Sequence, residues 1–295
     1  MNPTEGSDGS LVTRDRRFDR PVLIVSSPRS GSTLLYETLE QAPKLFSIGG
    51  ESHGVIESIP QFHPGNRGWD SNRLDAADTA PELVVRLLDG FYGELQDRDG
   101  QQPDGAVRML EKTPKNALRI PFFDTIFPDA TFIYLYRDVR QTLASMMEAW
   151  ASGHFRTYPR LPGWTGQYPW SLLLVPGWRD LIGQPLPRIV AEQWTRTTTL
   201  MLDDLERLPP ERLRVIDHGR FLGDPNIACS SLARSLGLAW DRELGSDLPL
   251  SKTTVSRPGA DKWRRLEREI AEVMPVVADA DARARAFVAL HGGGE

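Results

Sequence analysis

The sequence predicts an α/β domain built on a central parallel sheet flanked by helices and interrupted by an aromatic and proline-rich insert. Three observations predict it. Apolar runs of strand length alternate with stretches of helical spacing, the pattern of a parallel, doubly wound sheet. The first apolar run leads through a Pro and Gly turn into a helix-like stretch. At 295 residues, 40% hydrophobic and 25% charged, the chain suits one large domain carrying an elaborated insert.

The elements follow in order. A polar lead, residues 1 to 19, is expected to be disordered, with the single domain running from 20 to 295. Pro21 to Ser26 (PVLIVS) reads as a buried strand and Thr33 to Gln41 as the helix after it. Pro81 to Gln96 places Leu83, Val84, Leu87, Leu88, Phe91 and Leu95 on one helical face behind a proline start. Ala106 to Leu110 is a short strand, Lys115 to Phe127 a helix, Thr131 to Tyr136 (TFIYLY) a strand and Asp138 to Trp150 another helix. Residues 151 to 187 hold Tyr158, Trp164, Tyr168, Trp170 and Trp178 among prolines and glycines. Such an insert is either an acceptor-side lid or wall, or an excursion packed on the core. Regular structure resumes with the helix Ile189 to Leu208, the strand Arg212 to Ile216, the helix Asn226 to Leu236 and two helical stretches starting at Asp261 and Pro275.

Composition removes several function classes. A net charge of −5 gives no global attraction for nucleic acid, so any anion site is local. No apolar run approaches the ~20 residues of a membrane span. One cysteine, Cys229, permits no internal disulfide, and the polar start lacks a secretory leader pattern, so a reducing, cytoplasmic setting is expected. His63, His154, His218 and His291 have no metal-binding company; no metal is expected, and most of these histidines read as surface or loop residues.

Two segments carry the chemistry. Ser26-Ser27-Pro28-Arg29-Ser30-Gly31-Ser32-Thr33 joins strand to helix, where backbone N–H groups and the helix dipole cradle an anion. Compared with the GxxxxGK[ST] loop of nucleotide triphosphatases, Ser26 replaces the first glycine and Ser32 the lysine, while Arg29 brings a cation from within. The domain is thus P-loop-like without the triphosphate lysine. After the Thr131 to Tyr136 strand, Arg137 faces the crevice where open α/β sheets bind ligands, and Ser145 follows about two helical turns later.

Together these segments resemble the superfamily of sulfotransferases that use 3′-phosphoadenosine 5′-phosphosulfate, in which a PxSGxT loop holds the 5′-phosphosulfate and an Arg-x7-Ser pair the 3′-phosphate. A third match, Arg257-Pro258-Gly259-Ala260-Asp261-Lys262-Trp263, is similar to the family's loop closing over the 3′-phosphate and adenine. The resemblance covers roughly residues 21 to 150 and 188 to 270 and is nearest to the branches of tyrosylprotein and polyketide sulfotransferases. It implies sulfuryl transfer to a hydroxyl of a small-molecule, lipid or carbohydrate acceptor, with donor contacts from Arg29, Ser30, Gly31, Ser32, Thr33, Arg137, Ser145, Arg257, Gly259 and Trp263.

The same branches carry a glutamate base after the first helix. Glu51, following Gly49-Gly50, is the first choice for it and His53 the second. Lys112, in Glu111-Lys112-Thr113-Pro114, resembles their lysine that contacts the transferring group. Arg140 reads as a partner of Asp138. Two other classes stay open: an ATP-dependent phosphotransferase with a divergent loop, and a nucleotide-binding protein without turnover. The aromatic insert suits an apolar or ring-bearing alcohol, and equally a stacked carbohydrate.

Overall fold

The computed structural model describes residues 14–245, 248–256 and 259–292. Along the chain run β1 (Val22–Val25), α1 (Ser32–Leu39), β2 (Leu45–Phe46), α2 (His53–Glu57), α3 (Pro81–Glu94), β3 (Arg108–Lys112), α4 (Ile120–Ile126) and β4 (Thr131–Tyr136). Then come α5 (Val139–Ser152), β5 (Arg156–Tyr158), β6 (Trp170–Ser171), α6 (Leu186–Leu205), β7 (Leu213–Asp217), α7 (His218–Gly223), α8 (Pro225–Leu236) and α9 (Glu267–His291).

Five strands pair in the order β2-β3-β1-β4-β7, all parallel, with β1 in the centre. Strand alternation splits the core in two. Leu23 and Val25 of β1 pack with Met109, Phe132 and Tyr134 on the face covered by α3, α4, α6 and α9. Val22 and Ile24 pack with Leu110, Ile133 and Leu135 against Leu35 and Leu39 of α1 and the buried Cys229 and Leu232 of α8. Both faces are buried, which is why these strands read as unbroken apolar runs. The register sets Ile24 beside Lys112 and Tyr136 beside Asp217, aligning the carboxyl ends of β1, β3, β4 and β7 along one edge. The chain leaves β1 toward β2 and β3 on one side and reaches β4 on the other, so this edge opens a crevice beside β1.

Several expectations shift. Residues 14 to 19, expected in the disordered lead, are placed: Phe18 is buried and pairs with Val107. The third strand reaches Lys112 rather than ending at Leu110. The single helix expected from Lys115 to Phe127 is a 3₁₀ turn, Pro114–Leu118, followed by α4, because Pro121 has no N–H to bond back to the preceding turn. The two C-terminal stretches are one helix, α9, with Pro275 inside it. Its face of Ile270, Val273, Val277, Ala280, Ala284 and Phe287 is buried, and that packing holds the helix across the proline's missing hydrogen bond.

In the insert, Trp164, Trp170 and Trp178 pack with Trp150 of α5, with ring centroids 4.9 Å apart for Trp164 and Trp170 and 5.4 Å for Trp150 and Trp170. Trp170 donates to the Leu173 carbonyl at 3.1 Å. These rings form a second hydrophobic centre between α5, α6 and α9.

Candidate active site

A cleft of about 1470 Å³ opens at the carboxyl edge of the sheet, lined by the loop after β1, residues of α2, the turn after β3, one face of α5, parts of the insert and residues 248–256. Its first wall is the loop from Pro28 to Thr33. Ser27 and Ser30 bond each other at 2.8 Å beneath it. Gly31, at φ +94°, caps α1 without a side-chain hydrogen bond, so the first-turn N–H groups of α1 face the cleft as donors.

Arginines stand around this loop. Arg29, itself left-handed at φ 66°, reaches Ser145 at 3.4 Å and the Thr253 carbonyl at 3.0 Å, with its guanidinium 4.5 Å from the Phe155 ring centre. Arg137 donates to the Arg29 carbonyl at 3.0 Å. Burial first, and then the neighbouring charge of Arg29, pushes Arg137 down to about 10. Two desolvated cations side by side are held where an anion would relieve them. On α5, Gln141, Ala144, Ser145 and Glu148 present one helical face to the cleft. Asp138 caps that helix by accepting from the N–H groups of Arg140 and Gln141, and its carboxylate lies 3.6 Å from Arg140 as expected.

The opposite wall holds the catalytic candidates. Lys112 at the end of β3 donates to Glu51 Oε1 at 2.8 Å and to Thr33 Oγ1 at 3.2 Å, bridging the loop after β1 and the carboxylate. His53 Nε2 bonds Glu51 Oε2 at 2.7 Å. Burial raises Glu51, but the hydrogen bond from His53 and the charge of Lys112 outweigh it and bring the carboxyl down to about 2. Gly49, at φ +69°, provides the bend that returns Glu51 to the sheet edge.

Gly259 and Trp263 line the far side, where Arg140 lies over the Trp263 ring at 5.0 Å; Arg257 falls outside the described residues. Glu148 ties this segment to α5 by accepting from Ser256 at 2.6 Å and Lys262 at 2.5 Å.

A model of the sulfotransferase family matches residues 21–242. The chain belongs to the sulfotransferase family. Among its relatives, a putative protein-tyrosine sulfotransferase of Caenorhabditis briggsae is 28% identical over 131 residues, 44% of each chain. Protein-tyrosine sulfotransferase 1 of Homo sapiens is 27% identical over 135 residues, 44% of this chain and 34% of that one. The chain thus matches less than half the length of either relative. Similar solved structures include a sulfotransferase domain from the curacin biosynthetic pathway, with a TM-score of 0.46 at 17% identity over 89% of this chain and 98% of that one. Mouse sulfotransferase SULT7A1 complexed with PAP has a TM-score of 0.48 at 14% identity over 95% and 92%.

Four cleft residues of this sulfotransferase-family chain escaped the sequence reading. His218, one of four histidines expected mostly on the surface or in loops, is buried at the start of α7 against Gly31. Burial and then Arg137 bring its imidazole down to about 3, so it stays neutral. Its place just after β7, at the carboxyl edge of a parallel strand, was the available signal. The other three are Glu148, Glu57 and Lys115. Of the two readings of the insert, Trp164, Trp170 and Trp178 follow the excursion packed on the core; His154 to Thr157 and Leu172 to Leu173 are the insert residues that line the cleft.

Proposed function

We propose that the chain transfers the sulfuryl group of 3′-phosphoadenosine 5′-phosphosulfate to an acceptor hydroxyl, with Glu51 as the base. The observation that carries this reading is the Lys112 bridge: one ammonium touches both Thr33 of the anion loop and Glu51. Chemistry at such a point needs an anion on one side and a proton acceptor on the other.

In the proposed step the acceptor oxygen attacks sulfur, the bond from sulfur to the bridging phosphate oxygen breaks, and the acceptor proton passes to Glu51. Lys112 neutralises charge growing on the bridging oxygen. Drawing Lys112 toward the donor also makes Glu51 a better base. Once the lysine engages the donor, burial is less opposed and the carboxyl rises from its low resting value. His53 holds the other oxygen of Glu51 and orients it. The first-turn N–H groups of α1, with Arg29, Ser30, Gly31, Ser32 and Thr33, hold the 5′-phosphosulfate, while Arg137, Ser145, Gly259 and Trp263 surround the 3′-phosphate and adenine. We place Arg257 with them on its motif alone. The reading needs no metal. A cytoplasmic setting is proposed with it, supported by the single, buried cysteine; among the described residues no helix is long and apolar enough to cross a membrane.

The test is calorimetric titration with 3′,5′-adenosine bisphosphate beside magnesium ATP, with Arg137→Ala as control. Bisphosphate binding that the variant loses supports the reading; preference for magnesium ATP overturns it in favour of a phosphotransferase.

A further inference from the structure

One part of the cleft has no task in the transfer step. Below His53, the wall is made by Glu57 at the end of α2 and by Lys115 in the turn after β3. Glu57 Oε1 is crowded: it accepts from Lys115 at 2.6 Å, Arg119 at 3.1 Å, the Tyr158 hydroxyl at 3.3 Å and Asn72 at 3.5 Å. Among the described residues nothing donates to Oε2. Lys115 gives its other hydrogen bond to the Tyr158 hydroxyl at 2.9 Å, which leaves one N–H of its ammonium unassigned. A carboxylate oxygen that accepts and an ammonium that donates therefore stand side by side on the wall, and the buried groups behind hold both in place.

That pairing is the complement of one chemical group. A hydroxyl accepts one hydrogen bond through its oxygen and donates another through its proton, whereas an ether can only accept and an ammonium only donate. The placement adds a second constraint. His53, whose ring bonds Glu51, and Glu57 are four residues apart on α2, and both carboxylates line the same cleft. Nearby, Pro114, Leu172 and Leu173 supply apolar lining. Leu172 is held at φ 64°, a left-handed conformation that a branched side chain adopts only where its surroundings impose it and that is found preferentially at binding sites.

We infer that Glu57 and Lys115 form an acceptor subsite for a second hydroxyl, so that the acceptor is a polyhydroxy compound, a sugar or cyclic polyol. One hydroxyl meets Glu51 and is sulfated; the other accepts from Lys115 and donates to Glu57 Oε2, while the ring's C–H face meets the leucines. The inference rests on the sulfuryl-transfer reading and narrows its acceptor.

The experiment compares matched acceptors that differ by one hydroxyl: cyclohexanol against trans-cyclohexane-1,4-diol, and phenol against hydroquinone, each with 3′-phosphoadenosine 5′-phosphosulfate as donor. The diol of each pair is expected to show a KM at least about tenfold below that of its partner. Glu57→Gln is expected to abolish that ratio. Because Glu57 also neutralises Lys115 and Arg119, a second variant, Lys115→Gln, leaves Glu57 paired with Arg119 and is expected to shrink the ratio too. Equal use of mono-ol and diol, or a ratio unchanged in both variants, overturns the inference. So does failure to sulfate any of the four by a protein that binds 3′,5′-adenosine bisphosphate; absence of bisphosphate binding would instead sink the underlying reading.

Discussion

His218 occupies the space a side chain on Gly31 would need: a methyl group there would sit 2.4 Å from Cδ2 and 2.5 Å from Nε2 of the imidazole. Gly31 also holds φ +94°, a conformation that L side chains resist. The neutral ring thus packs directly under the anion loop and fixes its curvature. Gly31→Ala is expected to weaken 3′,5′-adenosine bisphosphate binding at least about tenfold, or ~1.4 kcal/mol. His218→Ala in the same chain removes the clash but not the backbone strain, so calorimetry of the double variant should show part of the affinity return.

In the proposed transfer, Lys112 acts on the bridging oxygen and Glu51 on the acceptor proton, two tasks that kinetics can separate. Lys112→Met removes the cation from the bridging oxygen, and transfer is expected to fall by about 10²–10³-fold. Glu51→Ala removes the proton acceptor and is expected to abolish transfer while donor binding survives. Measuring bisphosphate affinity beside turnover in both variants checks this; parallel loss of affinity and turnover would mean that these residues only hold the site together.

Glu51 also ties stability to pH. Its carboxyl is held at about 2 in the folded chain against an ordinary 4.5. A carboxyl depressed by folding stabilises fully above its unfolded value, and that contribution fades as pH falls through 4.5 toward 2. The group is partly open to solvent, so its contribution is discounted to about 1–2 kcal/mol. In urea unfolding, Glu51→Gln should be less stable than the parent at neutral pH, and the gap should close as pH falls through that window.

The tryptophan cluster makes the insert part of the core. Trp170 is fully buried among Trp150, Trp164 and Trp178. Trp170→Ala is expected to cost about 3–5 kcal/mol of stability by denaturant unfolding. A loss below about 1 kcal/mol would mean that the insert moves independently of α5.

Much of this molecule could be read from its residues. TFIYLY is β4 at its full length because a strand buried on both faces leaves an unbroken apolar run. Glu51 and Lys112, expected near the anion loop on resemblance, meet there across 61 residues of chain. The misses are long-range. Nothing local to Asp217-His218 tells that the imidazole lies under a glycine far upstream, and nothing in Lys115 tells that Glu57 and Tyr158 surround its ammonium. The tryptophans left two readings open for a related reason: rings among prolines suit a cleft wall or a packed excursion equally until α5 and α6 are known to cover them. Pro275 shows that a local breaker yields when a whole helical face is packed.

Cys229 has a practical consequence. Its thiol is fully enclosed on α8, and burial pushes it up to about 12. Alkylating and fluorophore reagents attack thiolates, so the parent chain should remain dark toward them. Single cysteines placed at exposed His154 and on the segment near Ser256 would then carry the only dyes in the molecule. The distance between them could be followed by energy transfer as nucleotide is added, reporting how the cleft's two rims approach each other in solution.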